Sequence, residues 1–318
     1  MNDFIFSLNA TVPVFLVIVL GFALRKIGLL NEEFARVGDR LTFRVTLPIL
    51  LFTQLSTVDW SESFDLRFFL FCVIATCVSF AVIYGLSWAF LRDRSMVGTY
   101  AMVSFRGSAA VLGIAFVSNI YDGSVGFAPL MIVAVVPFYN FFSVLALAIS
   151  AKKEDNVRFS AKSVAFEVVT NPLILAVLLA IPAAQLHWTD WRGMTIPYKF
   201  LTSVGNMATP LALLVLGAGF EHREAISKMR TVLSAALTKL VLLPAALVPV
   251  AIWLGFRNEQ LLAIAVMLAS PTTVACYIMA KNMKNDSALA SGTVLVATVL
   301  SPLSITALVF ILRTLGYI

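Results

Sequence analysis

The sequence has 318 residues, of which 60% are hydrophobic and only 13% are charged, and its mean hydropathy is +0.94. A soluble domain of ordinary composition cannot bury so much apolar surface. The chain is therefore predicted to be an all-α polytopic membrane protein. The net charge of +6 does not indicate nucleic-acid binding, because the basic residues flank apolar stretches and form no patch interleaved with aromatic residues.

The hydropathy pattern predicts ten membrane spans, taking about 20 apolar residues as the length of one crossing. Their approximate bounds are 8–24, 36–56, 66–91, 97–118, 126–149, 164–184, 196–219, 229–254, 259–280 and 288–312. The first span is expected to be retained rather than cleaved. Asp3 stands where a signal peptide would be basic, and Arg25 and Lys26 follow the apolar run instead of preceding it.

The same membrane unit is predicted to occur twice, offset by about 160 residues. Pro13 and Pro172 each open an apolar run, and Pro48 in LTFRVTLPILLF corresponds to Pro210 in LTSVGNMATPLALL. Two copies of five spans must face opposite ways across a bilayer. Such inverted repeats are typical of secondary transporters, whose broken helices meet near the midplane. The duplication predicts a first five-helix repeat over 1–150, a cytoplasmic linker over 151–163 and a second, inverted repeat over 164–318.

The distribution of basic residues predicts the orientation. Fifteen Lys and Arg residues fall in the odd-numbered loops, against five in the even-numbered loops and at the C-terminal end. Because Lys and Arg are enriched on the cytoplasmic side, both termini are expected outside the cell (inner) membrane.

Three cations lie well inside predicted spans, away from the span ends, namely Arg44, Arg106 and Lys239. Spans four, five and nine contain no Asp or Glu apart from Glu259, which is the first residue of span nine. A charge inside the membrane is costly and is by default a functional hypothesis. For Arg106 two interpretations stay open, an anionic ligand or solvation by water and backbone carbonyls. Lys239 is expected to neutralise the carbonyl ends of a helix break, and Arg44 to reach toward the cytoplasm.

Two spans in corresponding places of the repeats carry signals for a helix break. In SFRGSAAVLGIAF of span four, Gly107 and Gly113 bracket small residues. In MLASPTTVACYIMA of span nine, Pro271 removes a backbone donor, and the hydroxyls of Thr272 and Thr273 can satisfy freed backbone groups. The N-terminal ends of such half-helices can bind an anion. For span nine alone, a simple proline kink is the alternative.

Stretches dispersed over the chain resemble a known family. They are NPLILAVLLAIP from Asn171, ATPLALLVLGAGF from Ala208, TKLVLLP from Thr238, FRGSAAVLGIAF from Phe105 and the SPTT of span nine. Together they resemble the auxin efflux carrier family, which includes plant auxin exporters and bacterial permeases for malonate, malate and related acids. The resemblance implies a fold similar to bile-acid symporters and sodium/proton antiporters, with a scaffold from spans 1, 2, 6 and 7, a moving core from spans 3–5 and 8–10, and a carboxylate substrate where spans four and nine cross.

The resemblance also assigns individual residues. The family's polar position in span four falls on Ser108, where plant members typically have Asn, and its span-five Asn falls on Asn140. A plant-type proline is replaced by Ala115, and the long central loop of plant exporters is absent, so a bacterial-type permease is expected. The predicted substrate-binding residues are Arg106, Ser108, Tyr139, Asn140, Pro271, Thr272 and Thr273, with Leu47, Pro48 and Leu51 on the scaffold side and Gly107, Gly113 and Lys239 supporting the crossing.

Enzymatic functions are disfavoured by what the sequence lacks. His187 and His222 lie in loops, and neither HExxH nor GxSxG occurs. Cys72, Cys77 and Cys276 lie in apolar stretches without zinc-ligand spacing, and we interpret them as small apolar residues. No catalytic residue, cofactor or metal is therefore expected.

The predicted function is secondary transport of a small organic anion, such as malonate, malate or an auxin-like aromatic acid, by alternating access of elevator type. A sodium-coupled symporter of the bile-acid type is the alternative, and a non-transporting sensor is the alternative from a different class. Without carboxylates in the interior of the core spans, the substrate is expected to move as an anion driven by membrane potential, or with its own protonation. Expected partners are the substrate and the lipid bilayer, and spans two and seven offer a homodimer surface.

Overall fold

The computed structural model describes residues 2–57, 64–108, 127–150, 166, 169–220 and 222–318. The helices within these ranges are α1 (Asn2–Lys26), α2 (Glu32–Leu41), α3 (Leu47–Ser56), α4 (Leu66–Phe90), α5 (Val97–Phe105), α6 (Ala128–Ser150), α7 (Pro172–Gln185), α8 (Thr195–Asn206), α9 (Ala208–Ala218), α10 (His222–Ser227), α11 (Met229–Leu237), α12 (Leu243–Trp253), α13 (Asn258–Ala269), α14 (Ala275–Asn282) and α15 (Ser287–Thr314). The π-helical segments Thr42–Thr46 and Thr238–Leu242 join α2 to α3 and α11 to α12.

Several helical stretches are long and apolar enough to cross a membrane. In the described part of the chain there are five: Leu66–Phe90, Ala128–Ser150, Thr195–Ala218, Met229–Trp253 and Ser287–Thr314. Two shorter apolar helices are Pro172–Gln185 and Asn258–Ala269. The protein is therefore a multi-pass membrane protein, as predicted. The number of ten spans and their inverted relation stay predictions.

The outer surface of these helices is apolar as well as the inner one. On α4, Leu70, Ile74 and Val78 are exposed at a spacing of four residues, whereas Phe68 and Cys72 are buried. Residues four apart lie on the same face of a helix. An apolar stripe that faces outward belongs against lipid, because a soluble helix would carry polar residues there.

Side-chain caps determine where several helices begin. The Asn31 side chain accepts a hydrogen bond from Phe34 N (2.8 Å) and starts α2, so the second helix begins earlier than the predicted residue 36. Asp65 and Asp286 cap α4 and α15 in the same way. These acceptors satisfy N–H groups that have no partner inside the helix.

Prolines account for the irregular helical segments. Pro48 and Pro244 each lie two residues after the end of a π-helical segment, and Pro210 follows the boundary between α8 and α9 at Met207. A proline cannot donate to the carbonyl one turn earlier, so the preceding turn widens or breaks.

Packing joins helices that are distant in the sequence. Helix α1 packs mainly against α9 and α15, and α3 packs mainly against α7 and α8. A second set of neighbours consists of α4, α5 and α6, and a third of α11 to α15. At the α1–α9 contact, a Cβ added to Gly21 would meet the Leu214 carbonyl, and one added to Gly217 would meet the Ile18 carbonyl. Glycine therefore allows these two backbones to touch, as is common between membrane helices.

Candidate functional site

Two helices stop inside the protein at the predicted break positions. Helix α5 ends at Phe105, and Arg106 continues in an extended conformation (φ −81°, ψ 127°). Helix α13 ends at Ala269, Ser270 is extended (φ −61°, ψ 143°), and α14 begins only at Ala275. We call residues 103–108 and 267–275 together the junction. Gly113, predicted to lie on the far side of the first break, falls outside the described residues.

Hydrogen bonds connect the two parts of the junction. The Ser108 backbone N–H donates to the Pro271 carbonyl (2.9 Å), and the Thr272 hydroxyl donates to the Val103 carbonyl (2.6 Å). The Thr273 hydroxyl accepts from Ala275 N (3.3 Å) at the start of α14. The interrupted helices leave backbone groups without partners in their own helix, and in a membrane these must be satisfied by protein. The hydroxyls of Thr272 and Thr273 therefore satisfy backbone groups at the break, as predicted from their position in the sequence.

Lys239 lies against the carbonyl ends of both helices, α5 and α13. Its side chain is buried at 0% exposure, and Nζ donates to the carbonyls of Phe105 and Met267, each at 3.3 Å. The π-helical segment 238–242 carries the residue into this position. Because helix C-terminal ends bear partial negative charge, the ammonium group is stabilised there electrostatically.

Gly107 permits the close approach of these groups. A Cβ at this position would meet Ser270 Oγ and would lie 2.9 Å from Lys239 Nζ and 3.0 Å from Lys239 Cε. Ser270 itself is fully buried and donates to the Met267 carbonyl (3.4 Å). Any side chain at position 107 would therefore displace Lys239 or Ser270.

Arg106 is surrounded by neutral acceptors. Its exposure is 6%, and Nη1 donates to Asn140 Oδ1 (3.1 Å), to Ser143 Oγ (3.5 Å) and to Met279 Sδ (3.2 Å). Asn140 is oriented by its own hydrogen bond from Nδ2 to the Val136 carbonyl (2.8 Å). Among the described residues, none of the ion pairs involves Arg106 or Lys239.

Aromatic side chains border these acceptors. Tyr139 is 4% exposed and meets the Phe105 ring edge-on, with 5.6 Å between ring centroids. Phe105 also meets the Phe80 ring edge-on at 5.3 Å. These contacts fix the end of α5 beside α6, where Asn140 lies.

Not every predicted residue lies at the junction. Leu47 and Leu51 are buried and Pro48 is half-buried, but the principal neighbours of α3 are α7 and α8, not the interrupted helices. The assignment of these three residues to the scaffold side of the site stays a prediction. Arg44 is exposed, which agrees with a side chain that reaches away from the interior.

Sequence reasoning missed several polar residues. Ser143, one helical turn after Asn140, shares its face of α6 and could have been found from that spacing. Met279 could not, since only the folding of the chain brings it to Arg106. The sequence analysis also missed an ion pair between Asp39, which is 3% exposed, and Lys281, at 2.8 Å.

Within the described residues, no group of three or more His, Cys, Asp or Glu side chains is placed to hold a metal ion.

Comparison with known proteins agrees with a multi-pass membrane protein. The membrane transport protein family matches residues 6–309. An uncharacterized transporter of Methanothermobacter thermautotrophicus is 23% identical over 306 residues, covering 95% of this chain and 97% of the relative. A putative malonate transporter of Rhizobium meliloti is 26% identical over 312 residues, covering 95% of this chain and 94% of the relative. The chain is therefore a transport protein and not an enzyme, and it belongs to the membrane transport protein family, the auxin efflux carriers that its sequence resembles.

Proposed function

We propose that this protein is a secondary transporter of a small organic anion bearing a carboxylate, which it moves by alternating access of elevator type. The observation that carries the proposal is the pair of cations, Arg106 and Lys239, buried beside two interrupted helices and joined to no carboxylate in the described ion pairs. Uncompensated charge is expensive in a membrane interior. Its presence is therefore best explained by a negatively charged ligand or by a function of the charge itself.

Arg106 is the residue that we assign to the substrate. Its guanidinium is planar and can hold a carboxylate with two parallel hydrogen bonds. The neutral partners Asn140, Ser143 and Met279 hold its Nη1 without cancelling its charge. We propose that Ser108, Tyr139, Asn140, Pro271, Thr272 and Thr273 line the same site.

The class of substrate is supported by the relatives. One of them bears the name putative malonate transporter, and malonate carries two carboxylates. A small dicarboxylate or monocarboxylate is therefore the first ligand to test. The choice among malonate, malate and an aromatic acid is left to the measurement.

The proposed architecture has inverted repeats, outside termini in the inner membrane, and a moving core. Leu66–Phe90 and Met229–Trp253 both have 25 residues and begin 163 residues apart, close to the offset of the duplicated prolines. A two-fold relation between the halves exchanges the α1–α9 contact with the α7–α3 contact, and both are principal contacts. These features support a scaffold from spans 1, 2, 6 and 7 and a core from spans 3–5 and 8–10.

We further propose that the substrate moves as an anion along the membrane potential. One charge that crosses is worth roughly 2.3 kcal/mol per 100 mV. An inside-negative potential favours outward movement of an anion, so export is the easier direction.

The test is transport by purified protein in proteoliposomes. Initial rates for malonate, malate and indole-3-acetate are measured while potassium and valinomycin set the potential and pH is equal on both sides. We expect saturable transport of at least one acid, accelerated by a potential that drives anions out. A rate that ignores potential but requires a sodium gradient would establish the bile-acid type of symport instead. Saturable binding without any transport would favour the sensor.

A further inference from the structure

Lys239 makes different contacts from Arg106, and the difference points to a separate function. Its Nζ is held by two backbone carbonyls, of Phe105 and Met267, and neither acceptor is a side chain. Both carbonyls belong to the last turn of an interrupted helix, where they have no partner in their own helix.

The charges at this point balance. A helix C-terminal end carries roughly half of an elementary negative charge. Two such ends, those of α5 and α13, meet at Lys239, so together they present about one negative charge. One ammonium group neutralises this amount. The positive charge of Arg106 is then left for the substrate.

The surroundings of the ammonium group also resemble the ligand set of a hard metal cation. Two carbonyl oxygens approach it, and the hydroxyl of Ser270 lies close enough that a Cβ at Gly107 would meet both groups. Carbonyl and hydroxyl oxygens are the ligands that hard cations prefer. All of these oxygens are in the protein interior, because Ser270 and Lys239 are fully buried.

We infer that the ammonium group of Lys239 is the resident cation of the junction: it occupies the place that a coupling metal cation would otherwise fill, so transport needs no sodium. The inference rests on the proposed function where it concerns transport. The cation-site part does not depend on it, since stability alone reports whether a cation is bound there.

The experiment replaces Lys239 with a smaller neutral residue and supplies the cation from solution. Thermal unfolding of wild type, Lys239→Ser and Lys239→Gln is followed in detergent with 150 mM sodium, methylammonium or choline chloride. Choline serves as the cation that is too large to enter. Leu262→Ala, a buried apolar truncation in α13, is the matched control for destabilisation without a vacated cation site.

We expect the midpoint of wild type to be equal in all three salts. Lys239→Ser should unfold several degrees lower in choline and recover at least half of that loss in sodium or methylammonium. Leu262→Ala should unfold lower in every salt to the same extent. In proteoliposomes, wild-type transport should be equal with sodium or choline, whereas that of Lys239→Ser should rise at least fivefold with sodium.

Three results would overturn the inference. They are a Lys239→Ser midpoint that is independent of the cation, a Lys239→Gln protein as stable as wild type in choline, and wild-type transport that requires sodium. The Gln variant keeps a hydrogen-bond donor without the charge, so it decides the question even if the Ser variant does not fold. Failure of carboxylate transport with intact cation rescue would refute the proposed function and leave the cation site standing.

Discussion

Cations are held differently in two regions of the molecule. At the junction, Arg106 and Lys239 contact neutral oxygen and sulfur atoms at 3.1–3.5 Å. At the helix ends, Lys228 pairs with Glu224 (2.7 Å) and Asp286 (2.8 Å), and Lys281 pairs with Asp39 (2.8 Å). We call the latter the helix-end ion pairs.

The comparison separates lysines that are neutralised by carboxylates from Arg106, whose charge is available for a ligand. Short charge-assisted bonds to carboxylates neutralise the helix-end lysines within the protein. The junction cations keep their charge, which is a cost to stability unless a ligand or a helix end offsets it. Substitutions in the two regions should therefore change different quantities, ligand affinity at Arg106 and unfolding free energy at the helix ends.

The largest effect is expected at Arg106. Arg106→Gln and Arg106→Lys should each weaken substrate binding by about thirtyfold or more, or roughly 2 kcal/mol, because neither side chain reproduces the bidentate guanidinium. Binding is measured by the substrate-induced shift of the unfolding midpoint and by uptake. Arg230→Gln, at an exposed arginine, is the control and should keep wild-type affinity. Wild-type affinity in a folded Arg106→Gln protein would remove this residue from the site.

The Asp39–Lys281 pair is expected to give the next effect, on stability. Lys281→Met should destabilise by on the order of 2 kcal/mol, because it leaves the buried Asp39 carboxylate without its partner. The effect is smaller than for a fully buried pair, since the Lys281 side chain is 31% exposed. Adding Asp39→Asn should recover part of the loss in a double-mutant cycle of denaturant unfolding. Lys199→Met, at an exposed lysine, should change little; strict additivity would show that the pair is not coupled.

An effect of similar size is expected from an added methyl group at the junction. Gly107→Ala should cost about 1–3 kcal/mol, as overpacking of a filled interior does, because its Cβ would meet Ser270 and Lys239. Gly85→Ala is the matched control in α4, since nothing lies within 4 Å of its Cβ. That change should be neutral or stabilise by roughly 0.5–1 kcal/mol. Equal unfolding free energies for the two variants would contradict the geometry of the junction.

The smallest effect is expected at Lys228. Burial disfavours its charged form, but the hydrogen bonds and charges of Asp286 and Glu224 outweigh burial and raise the pKa of Lys228. The Lys228 side chain is 25% exposed. Ion pairs near the surface contribute roughly 0.2–1 kcal/mol, which Lys228→Met should remove. Because the folded-state pKa is raised, the contribution is complete below the unfolded pKa of about 10.4 and is lost as pH rises through the folded value.

The pH dependence gives the check for Lys228. The difference in unfolding midpoint between wild type and Lys228→Met should be constant from pH 6 to 9 and should vanish in strongly alkaline solution. A difference that grows with alkalinity would have the wrong sign for a raised pKa.

Local features of the sequence predicted much of the fold. The predicted spans 66–91 and 229–254 agree within one residue with Leu66–Phe90 and Met229–Trp253. The interruption of span nine falls at Pro271, because a proline removes a donor wherever it stands. Helix length, apolar composition and proline positions act within one helix, so the chain order alone carries them.

The contacts of the candidate site were decided by tertiary structure. The hydrogen bond from Arg106 to Met279 joins residues 173 apart in the sequence, and that from Thr272 to Val103 joins residues 169 apart. Hydropathy does not indicate which helices pack together, since lipid and protein interior are equally apolar. The sequence therefore determined that Arg106 and Lys239 are cations inside a membrane, and only packing decided that one faces neutral side chains and the other two helix ends.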